Sequence, residues 1–217
     1  MKVDELMTRV VVTVTPETSL KDAASLLSRR RISGVPVVDA SGTVVGILSE
    51  ADILAKESGE QPRRGLLGWL LETDAALADK IRARTAGEAM TAPAITIAPN
   101  RPVHEAAARM VAESVNRLPV VEDGKLVGIV TRADLVRAFT RTDTEIAREI
   151  ETEILRRTLW LEPGAVTVDV TDGAVRLEGE VETETDAELL PVFVARVPGV
   201  VSVDAVLTSR TQASLTR

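Results

Sequence analysis

The chain has 217 residues, of which 45% are hydrophobic and 27% charged, and its formal net charge is −7. It has no Cys and one His, His104, which excludes disulfides, thiolate zinc sites, a Cys nucleophile and any multi-histidine metal centre. Aromatics are only 2% of the residues, so the core has to be built from Val, Leu, Ile and Ala.

The first residues, MKVDELMTR, carry acids at positions 4 and 5 and no apolar core, so no secretory signal is expected. No apolar run approaches the ~20 residues that span a bilayer. A cytoplasmic protein is expected. The charge is unevenly placed. Residues 1–143 hold 19 Lys+Arg against 19 Asp+Glu, whereas residues 144–217 hold 7 against 14. The acidic last third argues against nucleic acid and anionic lipid as partners.

Residues 7–54 align on residues 90–136 with an offset of 83 that drops to 82 after a one-residue deletion in a turn. Met7-Thr8 falls on Met90-Thr91, Pro36-Val37-Val38 on Pro119-Val120-Val121, and Gly46-Ile47 on Gly128-Ile129. Each unit is small for a core of its own, so the two copies are expected to pack together.

The unit reads as strand, helix, strand, strand, helix. Val10 to Val14 and Ala94 to Ile97 are short β-branched runs ended by Pro. A helix follows, with Leu20, Ala23, Ala24 and Leu27 at helical spacing and a capping box of Ser19 and Asp22. The second copy repeats it with Val103, Ala106, Ala107 and Met110, and has Pro102 in the first turn. Strands over Val35–Asp39 and Thr43–Leu48 come next. Their turn holds Ser41-Gly42, and the second copy has Asp123-Gly124, a strong hairpin signal. His104 lies off the apolar stripe and is expected on the surface.

Between the copies, residues 57–85 open with a polar loop containing Gly59, Pro62 and Gly65. Leu66-Leu67-Gly68-Trp69-Leu70-Leu71 is apolar on all sides, and residues 74–84 read as helix. The apolar stretch is expected to pack on the module or on a partner chain, being too short to span a membrane.

Both copies end in one spacing, Gly46-x-x-Ser49-x-x-Asp52 and Gly128-x-x-Thr131-x-x-Asp134. Gly allows close approach of a backbone or a ligand. The hydroxyl falls at the start of a helix, beside N–H groups that favour an anion. The Asp follows in the first turn, where it can cap the helix or accept hydrogen bonds from a diol. A simple capping box explains one copy, and its recurrence in a repeat points further.

This repeat resembles a tandem pair of CBS domains, often called a Bateman module, over roughly residues 3–141. The likeness rests on the V-x-V-x-P run, on G-V-P-V-V-D and R-L-P-V-V-E, and on the two G-x-x-[ST]-x-x-D ends. It implies two clefts that bind adenine nucleotides or related adenosyl ligands. Asp52 and Asp134 would take ribose hydroxyls, and Ser49 and Thr131 would lie by the ribose or phosphates. The base would be lined by Ile32, Ser33, Gly34 and Val35, by Val115, Asn116, Arg117 and Leu118, and by Thr15 and Ala98. Unequal clefts are expected. Arg132 follows Thr131 where Glu50 follows Ser49, and a guanidinium suits phosphate whereas a carboxylate repels it. Arg117 is expected to add a second cation to the Thr131–Asp134 cleft, which is therefore expected to bind more tightly.

Residues 142–210 read helix, strand, strand, helix, strand. Thr142 and Glu145 form a capping box ahead of a stripe of Ile146, Ile150, Ile154, Leu155 and Leu159. Val166, Val168 and Val170 alternate with polar residues, Asp172-Gly173 makes a turn, and Val175, Leu177 and Val181 alternate with Arg176, Glu178, Glu180 and Glu182. A second helix carries Ala187, Leu190, Val194 and Val197 before a last strand through Val201, Val203, Ala205 and Leu207. Pro191 inside that helix would cost about 3 kcal/mol unless the helix bends or starts late. The pattern resembles a BON domain through D-G-x-V-x-L-x-G-x-V and P-G-V-x-x-V. That family is associated with phospholipid or envelope binding.

The expected architecture is α+β. Two CBS motifs (1–56 and 86–141) pack as a pseudo-symmetric pair around a linker with a helix (57–85). A small α-β-β-α-β BON-like domain (142–210) and a tail (211–217) follow. The expected function is a cytoplasmic sensor that binds an adenine nucleotide (ATP, ADP or AMP) and passes its state to a protein partner through the BON-like domain. No cofactor is required, and neither a metal site nor a catalytic residue is identified. Ser, Thr and carboxylates stand without a base or metal cluster, so no enzyme is expected. A homodimer through the CBS pair is implied by the resemblance and by the apolar Leu66–Leu71 stretch. Nucleic acid is not expected as a partner, and neither is the membrane. An alternative is a ligand-free structural or adaptor protein that uses the pair for dimerisation and the BON-like domain for protein or membrane-surface contact.

Overall fold

The computed structural model describes residues 1–58 and 83–210. The apolar Leu66–Leu71 stretch and most of the helix expected over 74–84 lie outside the described residues. The chain divides into two compact units. One holds residues 2–101 and 105–132; the other holds Met1, residues 102–104 and residues from Ala133 onward. Among the described residues, no helix is long and apolar enough to cross a membrane.

Each copy of the repeat is built on one antiparallel hairpin. In the first copy these are β1 (Gly34–Val38) and β2 (Val44–Ser49); in the second, β3 (Arg117–Glu122) and β4 (Lys125–Thr131). Both hairpins shift register at the same place, beside the pairs Val37 with Gly46 and Val120 with Gly128. Asp123 and Gly124 both have positive φ, 49° and 76°, as the tight turn expected of that pair requires. In the first copy the Asp39 carboxylate holds the turn instead. It accepts hydrogen bonds from Ser41 N–H at 2.8 Å, Ser41 Oγ at 2.7 Å and Thr43 N–H at 2.9 Å.

The longer helices follow the expected patterns, and a one-turn helix that the patterns do not signal opens each copy. The first copy begins with a one-turn helix, α1 (Val3–Leu6), and then α2 (Leu20–Arg30), capped by Ser19 accepting from Asp22 N–H. Leu20, Ala23 and Leu27 form its buried face. α3 (Glu50–Ser58) leaves directly from β2. The second copy repeats this with α4 (Ala86–Ala89), α5 (Val103–Ala112) and α6 (Arg132–Ala138). Val103, Ala106 and Met110 are buried at the matching positions, and His104 is exposed.

The runs Val10–Val14 and Ala94–Ile97 do not become strands. Each makes a single parallel rung, Val14 with Val37 and Ile97 with Val120. Proline limits the ladder. Val14 N–H reaches Pro36 O at 3.2 Å and Val38 N–H reaches Val14 O at 2.9 Å. The next donors along the ladder would be the nitrogens of Pro36 and Pro16, which carry no hydrogen. Pro119 and Pro99 impose the same limit on the second copy.

The segment leading into each copy pairs with the other copy's hairpin. Thr8 and Ile129 exchange hydrogen bonds at 2.9 and 3.0 Å, and Thr91 and Ile47 do so at 2.8 and 3.0 Å. This exchange explains the motif glycines. A Cβ on Gly46 would strike the Met90 side chain and come within 3.0 Å of Thr91 O; a Cβ on Gly128 would strike Met7 and come within 3.2 Å of Thr8 O.

The other unit has the expected order of elements. α7 (Asp143–Glu149) is capped by Thr142, then β5 (Val166–Thr171) pairs antiparallel with β6 (Ala174–Val181). α8 (Glu184–Val194) leads to β7 (Ser202–Ser209), which lies parallel to β6. Val175, Leu177 and Val181 are buried while Arg176, Glu178, Glu180 and Glu182 are exposed, so the sheet has one dry and one wet face.

Two local features depart from the expected patterns. The stripe from Ile146 to Leu159 is not one α-helix, because Ile150–Thr158 winds as a π-helix. Ile150 and Leu155 are both buried, and a five-residue step keeps them on one face only if the turn is wide. Pro191 lies well inside α8, which starts at Glu184 under a Thr183 cap rather than late. The full burial of Leu190 and Val194 on either side offsets the lost hydrogen bond.

Two outcomes test this packing. Gly46→Ala should destabilise the CBS pair by roughly 1–3 kcal/mol, the scale of an overpacked site, as read by urea denaturation. Asp39 has its pKa lowered from 3.8, first by the Ser41 hydroxyl and then by Thr43 N–H. A folded pKa below the unfolded one stabilises above the unfolded value and is lost as pH falls through the folded value. Asp39→Asn should therefore lower stability near neutrality and lessen its fall below pH 3.8, measured by denaturation across that range.

Candidate functional site

β2 ends at Ser49 and α3 starts at Glu50, so the hydroxyl and the Asp52 carboxylate meet across the first helical turn. Asp52 Oδ2 accepts from Ser49 N–H at 2.9 Å and from Ser49 Oγ at 2.6 Å. Thr91 Oγ1, on the exchanged segment, donates to Asp52 Oδ1 at 3.3 Å. The carboxylate is thus the capping box expected of an isolated motif, and it is held from a second direction by the other copy. Asp52 is only 3% exposed.

A cleft of about 320 Å³ opens beside this carboxylate. Its apolar wall comes from Ile47, Ile95 and Val115, and its polar groups include Ser49, Asp52 and Asn116. Arg117 also lines it. This differs from the expectation that Arg117 serves the Thr131–Asp134 motif. The structure places its guanidinium with the first copy, where Nη2 donates to Ser33 Oγ at 2.8 Å. Burial pushes the Arg117 pKa down, while the Glu50 and Asp52 carboxylates hold it up.

Gly34 makes this placement possible. It is the counterpart of Arg117 in the repeat, and a Cβ there would overlap the guanidinium and come within 2.8 Å of Leu48 O. The backbones around it mirror each other. Glu50 N–H donates to Ser33 O at 3.1 Å, and Arg132 N–H donates to Asn116 O at 3.0 Å.

The remaining expected residues are distributed as follows. Val35 and Leu118 are fully buried and do not line the cleft. Thr15 is exposed, and its N–H closes a turn onto Thr18 Oγ1 at 3.0 Å. Ala98 accepts from Arg101 N–H in the matching turn. Neither lines the cleft, and Ile32 is half-buried outside it. Thr131 closes β4, and Arg132 is exposed with its guanidinium 3.5 Å from Met110 O. Asp134 is buried in α6 and pairs with Arg137 at 2.5 Å.

Thr91, Ile95 and Glu113 line the cleft although none was singled out from the sequence. Thr91 left a signal in the repeated Met-Thr pair. Glu113 and Ile95 left none, because they reach the cleft through the pairing of the copies.

In the other unit, Asp143 accepts from Asp172 N–H and Gly173 N–H, both at 2.9 Å, and Val201 N–H donates to Gly173 O at 2.8 Å. A Cβ on Gly173 would come within 2.5 Å of Gly199 O, and one on Gly199 within 2.8 Å of Ile146 Cδ1. The D-G and P-G-V signatures therefore serve packing.

Comparison with known proteins finds two families in the chain. The CBS domain family matches residues 3–59 and 86–141, and the BON domain family matches residues 142–211. CBS domain-containing protein CBSX2, chloroplastic, from Arabidopsis thaliana is 32% identical over 148 residues, covering 64% of this chain and 60% of that protein. The crystal structure of CBSX2 in complex with AMP superposes with a TM-score of 0.54 at 33% identity, over 63% of this chain and 94% of that one. The CBS domain pair of protein MJ0100, in complex with 5-methylthioadenosine and S-adenosyl-L-methionine, superposes with a TM-score of 0.50 at 29% identity, over 64% and 95% of the two chains.

Proposed function

The chain belongs to the CBS family, as a tandem CBS pair followed by a BON domain, and on that premise we propose that it is a non-enzymatic regulatory protein that binds an adenosine-containing nucleotide beside Ser49 and Asp52. The observation that carries this reading is the cleft itself. A buried carboxylate, an apolar wall and a buried cation converge on a space of about 320 Å³, within the range of small-molecule sites. Asp52 would accept from the ribose hydroxyls, since each carboxylate oxygen accepts more than one hydrogen bond. Ile47, Ile95 and Val115 offer the base an apolar surface. The ligands of CBSX2 and of the MJ0100 pair support the adenosyl class.

The repeat pattern alone favours the Thr131–Asp134 motif as the tighter site, with Arg132 and Arg117 as its cations. The buried Arg117 in the same cleft as Asp52 supports that motif as the tighter site instead. Calorimetry with AMP should show binding that Asp52→Ala weakens by roughly 1–3 kcal/mol, the scale of lost charge-assisted hydrogen bonds. Asp134→Ala should weaken it less. Loss of binding in Asp134→Ala alone would reverse the order of the sites.

The remainder of the reading concerns assembly. The protein works in the cytoplasm as a homodimer through its CBS pair, and light scattering at micromolar concentration should give twice the chain mass. The BON domain passes the ligand state to a protein partner. The exposed Glu178 and Glu180 on β6, with Glu182 just beyond it, disfavour anionic lipid and nucleic acid.

A further inference from the structure

β7 is an outer strand of its sheet, with β6 on one side and, among the described residues, no strand on the other. Its eight residues, Ser202–Ser209, run parallel to Ala174–Val181 without a shift of register. Val201 N–H, one residue ahead of the strand, donates to Gly173 O at 2.8 Å. Backbone groups alternate sides along a strand. Val203, Ala205 and Leu207 therefore turn theirs toward β6, and Ser202, Asp204, Val206 and Thr208 turn theirs outward. Among the described residues, no backbone hydrogen bond reaches these outward groups, and all four residues are exposed. An open edge of this length is a template for another strand, which proteins guard against with Pro, Lys, a bulge or a short strand. β7 has none of these guards.

We infer that the outer edge of β7 pairs antiparallel with β7 of a second copy of this chain, about a two-fold axis at Val206. The strand's own pattern selects that occupant. Val206 is 57% exposed on the wet face. On the axis it lies against its own copy, and the two residues exchange N–H and C=O hydrogen bonds. Asp204, the one charged residue of the strand, then lies opposite the uncharged Thr208 of the second copy. A pair centred on Asp204 would set two carboxylates opposite each other, which is destabilising. On the other face of β7, the half-buried Ala205 lies opposite the half-buried Leu207 of the second copy. Apolar side chains thus meet apolar ones on both faces, and every outward amide at the centre of the strand gains a partner.

The pairing is weak by design of its size. A single strand edge is small beside the roughly 1,200–2,000 Å² of a stable interface, which sets Kd on the order of 100 µM. It forms independently of any nucleotide and of the contact through the CBS pair, and it joins the species present at low concentration into larger ones.

The test is sedimentation equilibrium of the full chain from about 10 µM to about 1 mM, a range that brackets that Kd. The average mass of the wild type should rise by about one half or more across it. Val206→Pro should abolish the rise. It removes the N–H on the axis, and an edge strand tolerates Pro where the N–H faces outward. If Val206→Pro does not fold, Val206→Lys changes only an exposed side chain, and it should also abolish the rise by setting two like charges together. The chain has no Cys, so single-Cys variants report the contact directly. Under mild oxidation at high concentration, Val206→Cys should give a disulfide-linked pair, because the paired positions fall within disulfide reach. Thr167→Cys, exposed on the far strand β5, should not. A flat wild-type mass, the result if this edge serves a strand of another protein, overturns the inference. A rise that persists in both Val206→Pro and Val206→Lys overturns it too, as does cross-linking of Thr167→Cys as readily as of Val206→Cys. The mass at the lowest concentration reports the CBS contact separately, so a monomer there leaves the rise equally readable.

Discussion

The exchange of the Met-Thr segments between the two copies is the constraint on which the CBS pair rests. Thr8 bonds to Ile129 in β4, and Thr91 bonds to Ile47 in β2. Each pairing satisfies backbone groups on the outer edge of a hairpin that its own copy leaves open. It also seats a Met side chain over Gly46 or Gly128, where no Cβ could stand. The cleft follows from the same exchange. Thr91 reaches Asp52 and Ile95 forms part of the wall only because the second copy's leading segment lies on the first copy's sheet. The first glycine of each G-x-x-[ST]-x-x-D motif is thus a packing residue, and it positions the site by letting the other copy approach.

What could be read from the sequence was local. The hairpins, the Ser19, Thr142 and Ser49 caps and the α2 and α5 stripes depend on residues within a few positions of one another, and they formed as the patterns required. Features set by distant partners were not legible. The rung at Val14 stops where it does because Pro36, in a different element, has no hydrogen to donate. The π-helix at Ile150–Thr158 follows from the shared burial of Ile150 and Leu155, which i, i+3, i+4 counting assigns to an ordinary helix. Val35 and Leu118 sit beside the motif prolines in sequence, yet their side chains belong to the core. Arg117 could not be placed without knowing which hairpin faces it.

The BON domain shows how a family signature can be spent on structure. Asp143, at the start of α7, receives both N–H groups of the Asp172-Gly173 turn. Gly173 in turn lies against Gly199 of the P-G-V segment, with Val201 bonded to its carbonyl. These residues hold one end of the sheet against the helix that precedes it. The exposed side chains along β6 are those of Ala174, Arg176, Glu178 and Glu180.

Symmetry of the backbone does not carry over to chemistry in the CBS pair. Arg31 and Ser114 end their helices in the same left-handed conformation, and the Glu50 and Arg132 amides bond to matching carbonyls. Within that frame, position 34 has no side chain and position 117 has a long cationic one. Two such arginines at equivalent places would crowd one another, since a single Cβ at Gly34 already overlaps the guanidinium. Two glycines would leave Asp52 with no buried cation nearby. One of each fills the shared space and delivers the charge to one motif alone. A repeat whose copies meet face to face therefore has a physical reason to diverge at the residues where they touch, and the surroundings of the two motifs become unequal there.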